Sequence, residues 1–421
     1  MGSARTGTAK TPVAVFDADS PPTLAFVRSL GRLGVPVHVY SPSRVNVARL
    51  SQHAVRFAAC PPTDESNVFL PWLRARVKSG EIALVAPTSD SIAFALAEVH
   101  EHFGPTWRAV MPSPEDVHAC LFKDRFDAAC AKAGFETPCA FYPTSLDEGA
   151  ALAPTLPYPV ILKPRSHVTA GWNRGVIVHS PDEFLRNFRA MEGRAAQRAI
   201  LARHPELCWS FIQEYVPGAL QNLVSVSGVL GPDGEVLALS AATKTRQWPP
   251  QLGVGTRFEC RVDEPLLAFG RDLARAVVGR GIFELEFIYD ARRKERVAID
   301  LNPRGFGQMS LDIARGNDLP RLWYELVTSG KSEPCAMPRA DVVWHHAIPE
   351  IVAGATRLAL GPARAEALRD LVADARQPHV DIVNDWADPL PSAIHALRML
   401  RHPGGLIRPM LQERAFLRRA R

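Results

Sequence analysis

Short apolar runs alternate with stretches of helical spacing over the first hundred or so residues, and that order admits few folds. Val13-Ala-Val-Phe16 reads as a strand. Thr23 to Leu33 reads as a helix with Leu24, Val27 and Leu30 on one side, and Val35-Pro-Val-His-Val39 as the next strand after Gly34. Trp72 to Val77 then reads as helix, Ile82-Ala-Leu-Val-Ala86 as strand, Ile92 to Val99 as helix, and Arg108-Ala-Val-Met111 as strand. Strands separated by helices pair in parallel through crossovers, so the expectation is an open parallel α/β sheet with helices on both faces. Ligands of such sheets sit at the carboxyl ends of strands, here Asp17-Ala-Asp-Ser-Pro-Pro22 and Thr88-Ser-Asp90. No Gly-x-Gly-x-x-Gly follows the first strand, which disfavours a dinucleotide.

After about residue 112 the pattern changes. A helix from Lys123 to Ala133 leads to short strands at Val160-Ile-Leu-Lys163 and Gly175-Val-Ile-Val178, a long helix near 181–202, and a strand ending Phe211-Ile-Gln-Glu-Tyr-Val216. Two hairpins follow. Leu223 to Leu230 and Val236 to Thr243 flank Gly231-Pro-Asp-Gly234, and Ile282 to Tyr289 and Arg296 to Leu301 flank a polar turn at 290–295. From about 335 the chain is rich in Ala, Leu and Arg and reads as helical. The expected division is 1–112, 113–212, 213–335 and 336–421. A length of 421 residues, 47% hydrophobic and 22% charged, suits several packed cores and excludes a disordered chain or a small disulfide scaffold. The seven cysteines are scattered without Cys-x-x-Cys spacing, and no run of about 18 apolar residues occurs; a cytoplasmic protein is expected.

The second hairpin carries the chemistry. In a strand, side chains alternate faces, so Glu284 and Glu286 oppose Phe283, Leu285 and Phe287, while Asp300 and Asn302 oppose Ile299 and Leu301. If these strands pair, two or three carboxylates and an amide oxygen converge, a donor set that suits magnesium beside phosphate; a solvated polar face is the plainer alternative. Lysine is scarce, eight residues against forty-one arginines. Lys163 nevertheless ends an apolar strand, where a bare ammonium is costly unless an anion meets it, Lys123 starts a helix, and Lys244 ends a strand in Thr243-Lys-Thr-Arg-Gln-Trp-Pro-Pro250. Three isolated lysines beside a magnesium-type carboxylate set describe a polyphosphate site.

The order and spacing of Lys123-Asp124, Pro159-Val-Ile-Leu-Lys-Pro164, Phe211-Ile-Gln-Glu-Tyr-Val-Pro-Gly218, Phe283-Glu-Leu-Glu-Phe287 and Asp300-Leu-Asn-Pro-Arg304 resemble the ATP-grasp superfamily over about positions 10 to 335. Lys-x-Arg-Gln-Trp-Pro-Pro and the segment from Pro217-Gly218 to Ser227 look most like its carboxylate-amine ligase branch, which includes D-aspartate ligases. The resemblance implies an N-terminal parallel α/β domain, two α+β subdomains gripping ATP, and a helical C-terminal extension. It implies that Lys123 and Lys163 contact phosphate, that Gln213, Glu214, Tyr215 and Val216 form the adenine hinge with Asn222 nearby, and that Glu286, Asp300 and Asn302 hold magnesium. Two ions are implied, with manganese as a substitute. Lys244 resembles the basic residue near the γ-phosphate and Arg304 the arginine that steadies the acyl phosphate, while Arg246 is expected, from its position, at the acid-accepting pocket with the loops near Asp17 and Asp90. Asp300 stands where the family usually has Glu. The loop 164–175 falls at the place of a phosphate lid and brings His167 and Arg174 towards it. The activity implied is amide formation between a small-molecule carboxylate and an amine through an acyl phosphate; thioester or carboxylation chemistry, or an ATP-binding sensor without turnover, are the alternatives.

The formal charge of +5 raises the question of an anionic partner. Residues 398–421 hold seven arginines and one acidic residue, Glu413, leaving the other 397 residues at −1. The basic residues are not interleaved with aromatics on one face, so nucleic acid is not expected. The tail suits a helix packed on its own domain better than a peripheral membrane contact, and a homodimer is compatible with the sequence.

Overall fold

The computed structural model describes residues 10–170, 175–189, 197–218, 223–248, 253–336, 339, 342–360, 365, 368, 369, 372 and 379–401. The N-terminal sheet contains β1 (Val13–Val15), β2 (Val37–Ser41), β3 (Ala54–Ala59) and β4 (Leu84–Val85), all parallel in the order β3-β2-β1-β4. Of its helices Pro21–Arg32, Ser66–Lys78 and Asp90–Glu98, the first and third carry serine N-caps. Ser20 accepts from the Thr23 amide at one helix start and Ser89 from the Ile92 amide at another. Strand order reverses at β1, so the loops after β1 and β4 meet at the switch point, where Ser89 and Thr63 donate hydrogen bonds to Asp17. Residues 105–110 form a helix and not the expected strand: Pro105 follows Gly104 at the first helical position, and Trp107 and Val110 are buried.

A second sheet, β5 (Ala140–Phe141), β6 (Val160–Pro164), β7 (Val176–Val178) and β8 (Ser210–Glu214), is antiparallel in the order β5-β8-β6-β7. β8 runs two residues beyond the expected 212/213 division. The long helix expected near 181–202 is interrupted. Helix Pro181–Asn187 ends where the Phe188 amide bonds to Phe184 O, and Phe188 stacks on Trp209; a separate helix spans Arg198–Arg203.

The third sheet is the largest: β9 (Leu223–Leu230), β10 (Val236–Trp248), β11 (Val254–Arg261), β12 (Gly281–Asp290), β13 (Glu295–Asn302), β14 (Val343–His345) and β15 (His379–Asp381), in the order β13-β12-β9-β10-β11-β14-β15. The β9/β10 hairpin closes through Gly234, whose φ of +75 needs glycine. Helix Glu264–Val277 lays Leu266, Leu273, Ala274 and Val277 on this sheet among Val226, Phe283 and Leu285; each of the buried leucine and valine side chains contributes roughly 1.5–3 kcal/mol. Gly270 permits the approach, since a Cβ there would meet Val226 Cγ1 at 2.6 Å. The region after 335 is therefore not helical throughout, because β14 and β15 extend the sheet.

Two contacts fix the N-terminal sheet against the third. After β13, the Gly305 amide donates to Pro87 O at 2.8 Å, and Phe26 meets Trp323 edge-on. From the C-terminal region, Asp388 accepts from Arg28 Nε at 2.9 Å, Ser51 Oγ at 2.7 Å and the Gln52 amide at 3.0 Å. Asp388 and Arg28 are both buried. Asp388→Ala takes the carboxylate from Arg28, Ser51 and Gln52 together, leaving Arg28 its bond to the main-chain carbonyl of Asp388 and Asp385 at 4.0 Å. It should cost about 3 kcal/mol in urea unfolding, whereas a loss under about 1 kcal/mol would show that the clasp is not structural. Among the described residues no helix is long and apolar enough to cross a membrane.

Candidate active site

β12 and β13 pair as their alternation predicts, with Glu286 opposite Asp300 and Glu284 opposite Asn302. Phe283, Leu285 and Phe287 go to the core beneath, which holds the carboxylates on one face. Glu284 is buried, accepting from Asn302 Nδ2 at 2.8 Å and Gln308 Nε2 at 2.7 Å. Burial, then the charge of Glu286, pushes its carboxyl up to about 8. That cost of crowded negative charge is what a divalent cation would relieve.

Lys123 reaches this face from the first residue of helix Lys123–Lys132, and its ammonium pairs with Asp300. Burial pulls Lys123 down, but Asp300, with Asp90 and Asp127 behind it, outweighs that and holds the ammonium above its ordinary value. Lys163, on β6, donates to Gln213 Oε1 on β8 at 2.8 Å. Burial, then the charges of Lys123 and Lys244, pull it down to about 8, against partial compensation from Asp300 and Glu286. The three scarce lysines thus share one electrostatic neighbourhood with the carboxylates.

Arg304, two residues after β13, is half-buried between this cluster and the N-terminal region. Its Nε donates to Asp90 Oδ1 at 2.7 Å and its Nη2 to Asp90 Oδ2 at 3.0 Å and to Asn302 Oδ1 at 2.7 Å, while Nη1 donates to Gly305 O at 2.8 Å. Burial lowers its affinity for the proton but the Asp90 charge and hydrogen bond prevail, and the same pair holds Asp90 below the usual carboxylate range against its own burial. These contacts engage four of the five N–H groups of the guanidinium, so while they stand Arg304 can give one hydrogen bond to a reacting group.

The remaining expected residues divide. Lys244 lies on β10 opposite Phe258 of β11, and Arg246 pairs with Glu350 of helix Ala347–Leu360, which also accepts from Thr256 Oγ1 at 2.6 Å. Glu214 turns its carboxylate to Arg292 and Arg293 and its amide to Cys139 O, so its side chain is committed to the β12/β13 turn. Val216 is buried with Ile288 and Val297, and Tyr215 is half-buried beside it. Asn222 and Arg174 lie outside the described residues, as do 171–174 of the expected lid and 402–421 of the tail. His167 is exposed, with its charge felt at Asp90. Gln308 and Glu350 were not legible as site residues, because each meets its partner only through the tertiary fold.

Among the described residues, no three His, Cys, Asp or Glu side chains come together as a metal-binding group. The magnesium set read from the sequence has an amide as its third member, and Glu286, Asp300 and Asn302 on paired strands are hard oxygen donors beside an over-crowded carboxylate, a chemistry that suits magnesium.

No family model matches the chain. It is 23% identical over 208 residues to the C-terminal section of the carbamoyl phosphate synthase large chain of Methanopyrus kandleri, a match covering 47% of this chain. The chain spans only about a third of that relative, 35% of its length. Among solved structures, the biotin carboxylase domain of the Hydrogenobacter thermophilus 2-oxoglutarate carboxylase, in complex with MgADP, ADP and bicarbonate, matches with a TM-score of 0.60 at 16% identity, over 80% of this chain and 74% of that one. An L-amino acid ligase from Bacillus licheniformis matches with a TM-score of 0.56 at 13% identity, over 76% and 75%. The chain has the ATP-grasp fold.

Proposed function

We propose that the chain is an ATP-dependent carboxylate-amine ligase that makes an amide through an acyl phosphate and releases ADP and phosphate. The observation that carries this is the convergence of Lys123 and Lys163 on the Glu286/Asp300/Asn302 edge, with Arg304, just after β13, bound to Asn302 there and to Asp90 of the N-terminal region. The fold it shares with a ligase and with an MgADP-bound carboxylase supports the nucleotide part of this reading.

A carboxylate is a poor electrophile and its oxygen a poor leaving group, so the reaction needs phosphorylation first. Lys123, released from Asp300, and Lys163, released from Gln213, meet the polyphosphate charge, with Lys244 next to the γ-phosphoryl group. Bound magnesium, held by Glu286, Asp300 and Asn302, would neutralise charge on the transferring phosphoryl. The substrate carboxylate oxygen attacks the γ-phosphorus and ADP leaves. The amine then attacks the acyl carbon, phosphate departs with the bridging oxygen, and the nitrogen loses a proton. Arg304 offers its one uncommitted N–H, and Arg246 its charge, to the tetrahedral oxyanion. Residues Gln213 to Val216 run past this site as the adenine hinge. In this reading positioning supplies most of the catalysis, and the segment around 164–175 has the task of excluding water from the acyl phosphate.

The test is to incubate the full chain with Mg-ATP, pooled amino acids and hydroxylamine. ADP release above background together with a trapped hydroxamate is expected. A rise in melting temperature with ATP but no ADP release would replace this reading with that of a nucleotide-binding sensor.

A further inference from the structure

The Asp90–Arg304 pair joins the N-terminal sheet to the edge that carries Glu286, Asp300 and Asn302, and none of the reaction steps uses Asp90. Asp90 is the first residue of helix Asp90–Glu98, behind the Ser89 cap, so its place is set by the β4 loop and not by its own side-chain freedom. Ser89 in turn donates to Asp17 across the switch point. From Asp90 a continuous series of hydrogen bonds runs into the third sheet: Arg304 to Asn302 Oδ1, Asn302 Nδ2 to Glu284, Gln308 to the other Glu284 oxygen, and Gln308 also to Ser225 Oγ at 3.2 Å.

This series orients an amide. A guanidinium can only donate, so the Asn302 atom facing Arg304 must be Oδ1, and the nitrogen is left for Glu284. A carbonyl oxygen has two acceptor positions, which lets Oδ1 take the arginine and still serve as a cation ligand. Arg304 also feels Asp300 and Glu284. A half-buried guanidinium deprived of Asp90 would turn to one of those carboxylates and compete with the cation for it.

We infer that Asp90 is a positioning residue for the metal edge: it holds Arg304 away from Asp300 and Glu284 and, through Arg304, fixes the oxygen of Asn302 for a divalent cation. The inference rests on the nucleotide and metal reading above. It also couples the loops at the N-terminal switch point to the phosphoryl-transfer site through one ion pair.

The experiment measures ADP affinity calorimetrically, with and without Mn2+, for the full chain and for Asp90→Asn and Asp90→Glu. The Asn variant should bind ADP alone within about twofold of wild type, yet lose about 10–100-fold of the tightening that Mn2+ confers, the range typical of residues that orient metal ligands. The Glu variant, which restores the carboxylate, should recover most of that tightening. An unchanged Mn2+ effect in Asp90→Asn, no recovery in Asp90→Glu, or equal weakening with and without metal would overturn the inference, the last because it marks a residue that merely holds the fold. Failure of wild type to bind ADP would overturn the nucleotide reading itself, and this inference with it.

Discussion

Asp300→Asn is expected to lower Mg-ATP-dependent ADP release by about three orders of magnitude, because it removes a charged metal donor from the transferring phosphoryl group, a contribution of several kcal/mol. The same change bears on stability, since Asp300 is also the partner of the half-buried Lys123 ammonium. Asparagine keeps an oxygen to accept from Lys123, and Asp90 and Asp127 still act on that ammonium, so the unfolding free energy should fall by only about 2 kcal/mol. Asp300→Glu keeps a carboxylate at this position and should keep measurable turnover. Activity of Asp300→Asn within tenfold of wild type would contradict the metal assignment.

Lys163→Met separates binding from folding. The ammonium stands at the end of an apolar strand with Gln213 as its polar partner, and its depressed pKa of about 8 says that the folded protein disfavours the charge unless an anion is present. Methionine fills similar space without that charge, so the variant should be at least as stable as wild type without nucleotide. ATP affinity should fall about 100-fold and turnover at subsaturating ATP at least as much, for loss of a charge-assisted contact to phosphate. The pH dependence has a definite sign. An unfolded lysine titrates near 10.4, so between about pH 8 and 10.4 the unfolded chain holds a proton that the folded chain has shed, and this group makes stability rise with pH across that window. Nucleotide affinity runs the other way. Below pH 8 the ammonium is already charged, while above it binding must draw a proton from solvent, so affinity should decline by up to tenfold per pH unit. Calorimetry at pH 9 in buffers of different ionisation enthalpy should register that uptake in wild type and not in Lys163→Met; no uptake in wild type would contradict the placement of Lys163 against phosphate.

What could be read in the sequence was what repeats at short range. The alternation Phe283 to Phe287 and Ile299 to Asn302 assigns a face to each carboxylate, but the turn pairs Asp290 with Glu295, and only a bulge at Ile299, which no local pattern announces, brings Glu286 opposite Asp300. Lys123 and Lys163 stood out because lysine is scarce and because their local settings are poor places for an unmatched charge. β3 was missed since its residues are largely exposed and show no apolar alternation, and β14 and β15 since three residues carry too little pattern to separate from helix. Residues 105–110 have strand-forming composition but a proline at the helix start, and burial of Trp107 settles the matter. The partners that shape the site come from far along the chain: Asp90 meets Arg304 across 214 positions, Lys123 meets Asp300 across 177, and Arg246 meets Glu350 across 104. No local pattern encodes such pairs, which is why Gln308 and Glu350 emerged only from the folded chain, and why Glu214 proved to be tied to Arg292 and Arg293.

The most direct test of the proposed chemistry follows oxygen atoms. A carboxylate identified by the hydroxamate screen is labelled with oxygen-18 at both oxygens and turned over with unlabelled Mg-ATP and its amine. If the carboxylate attacks the γ-phosphorus and is later displaced by the amine, each inorganic phosphate released carries one oxygen-18 and the amide retains the other, which mass spectrometry of both products reads directly. Unlabelled phosphate accompanying amide formation would contradict an acyl-phosphate mechanism.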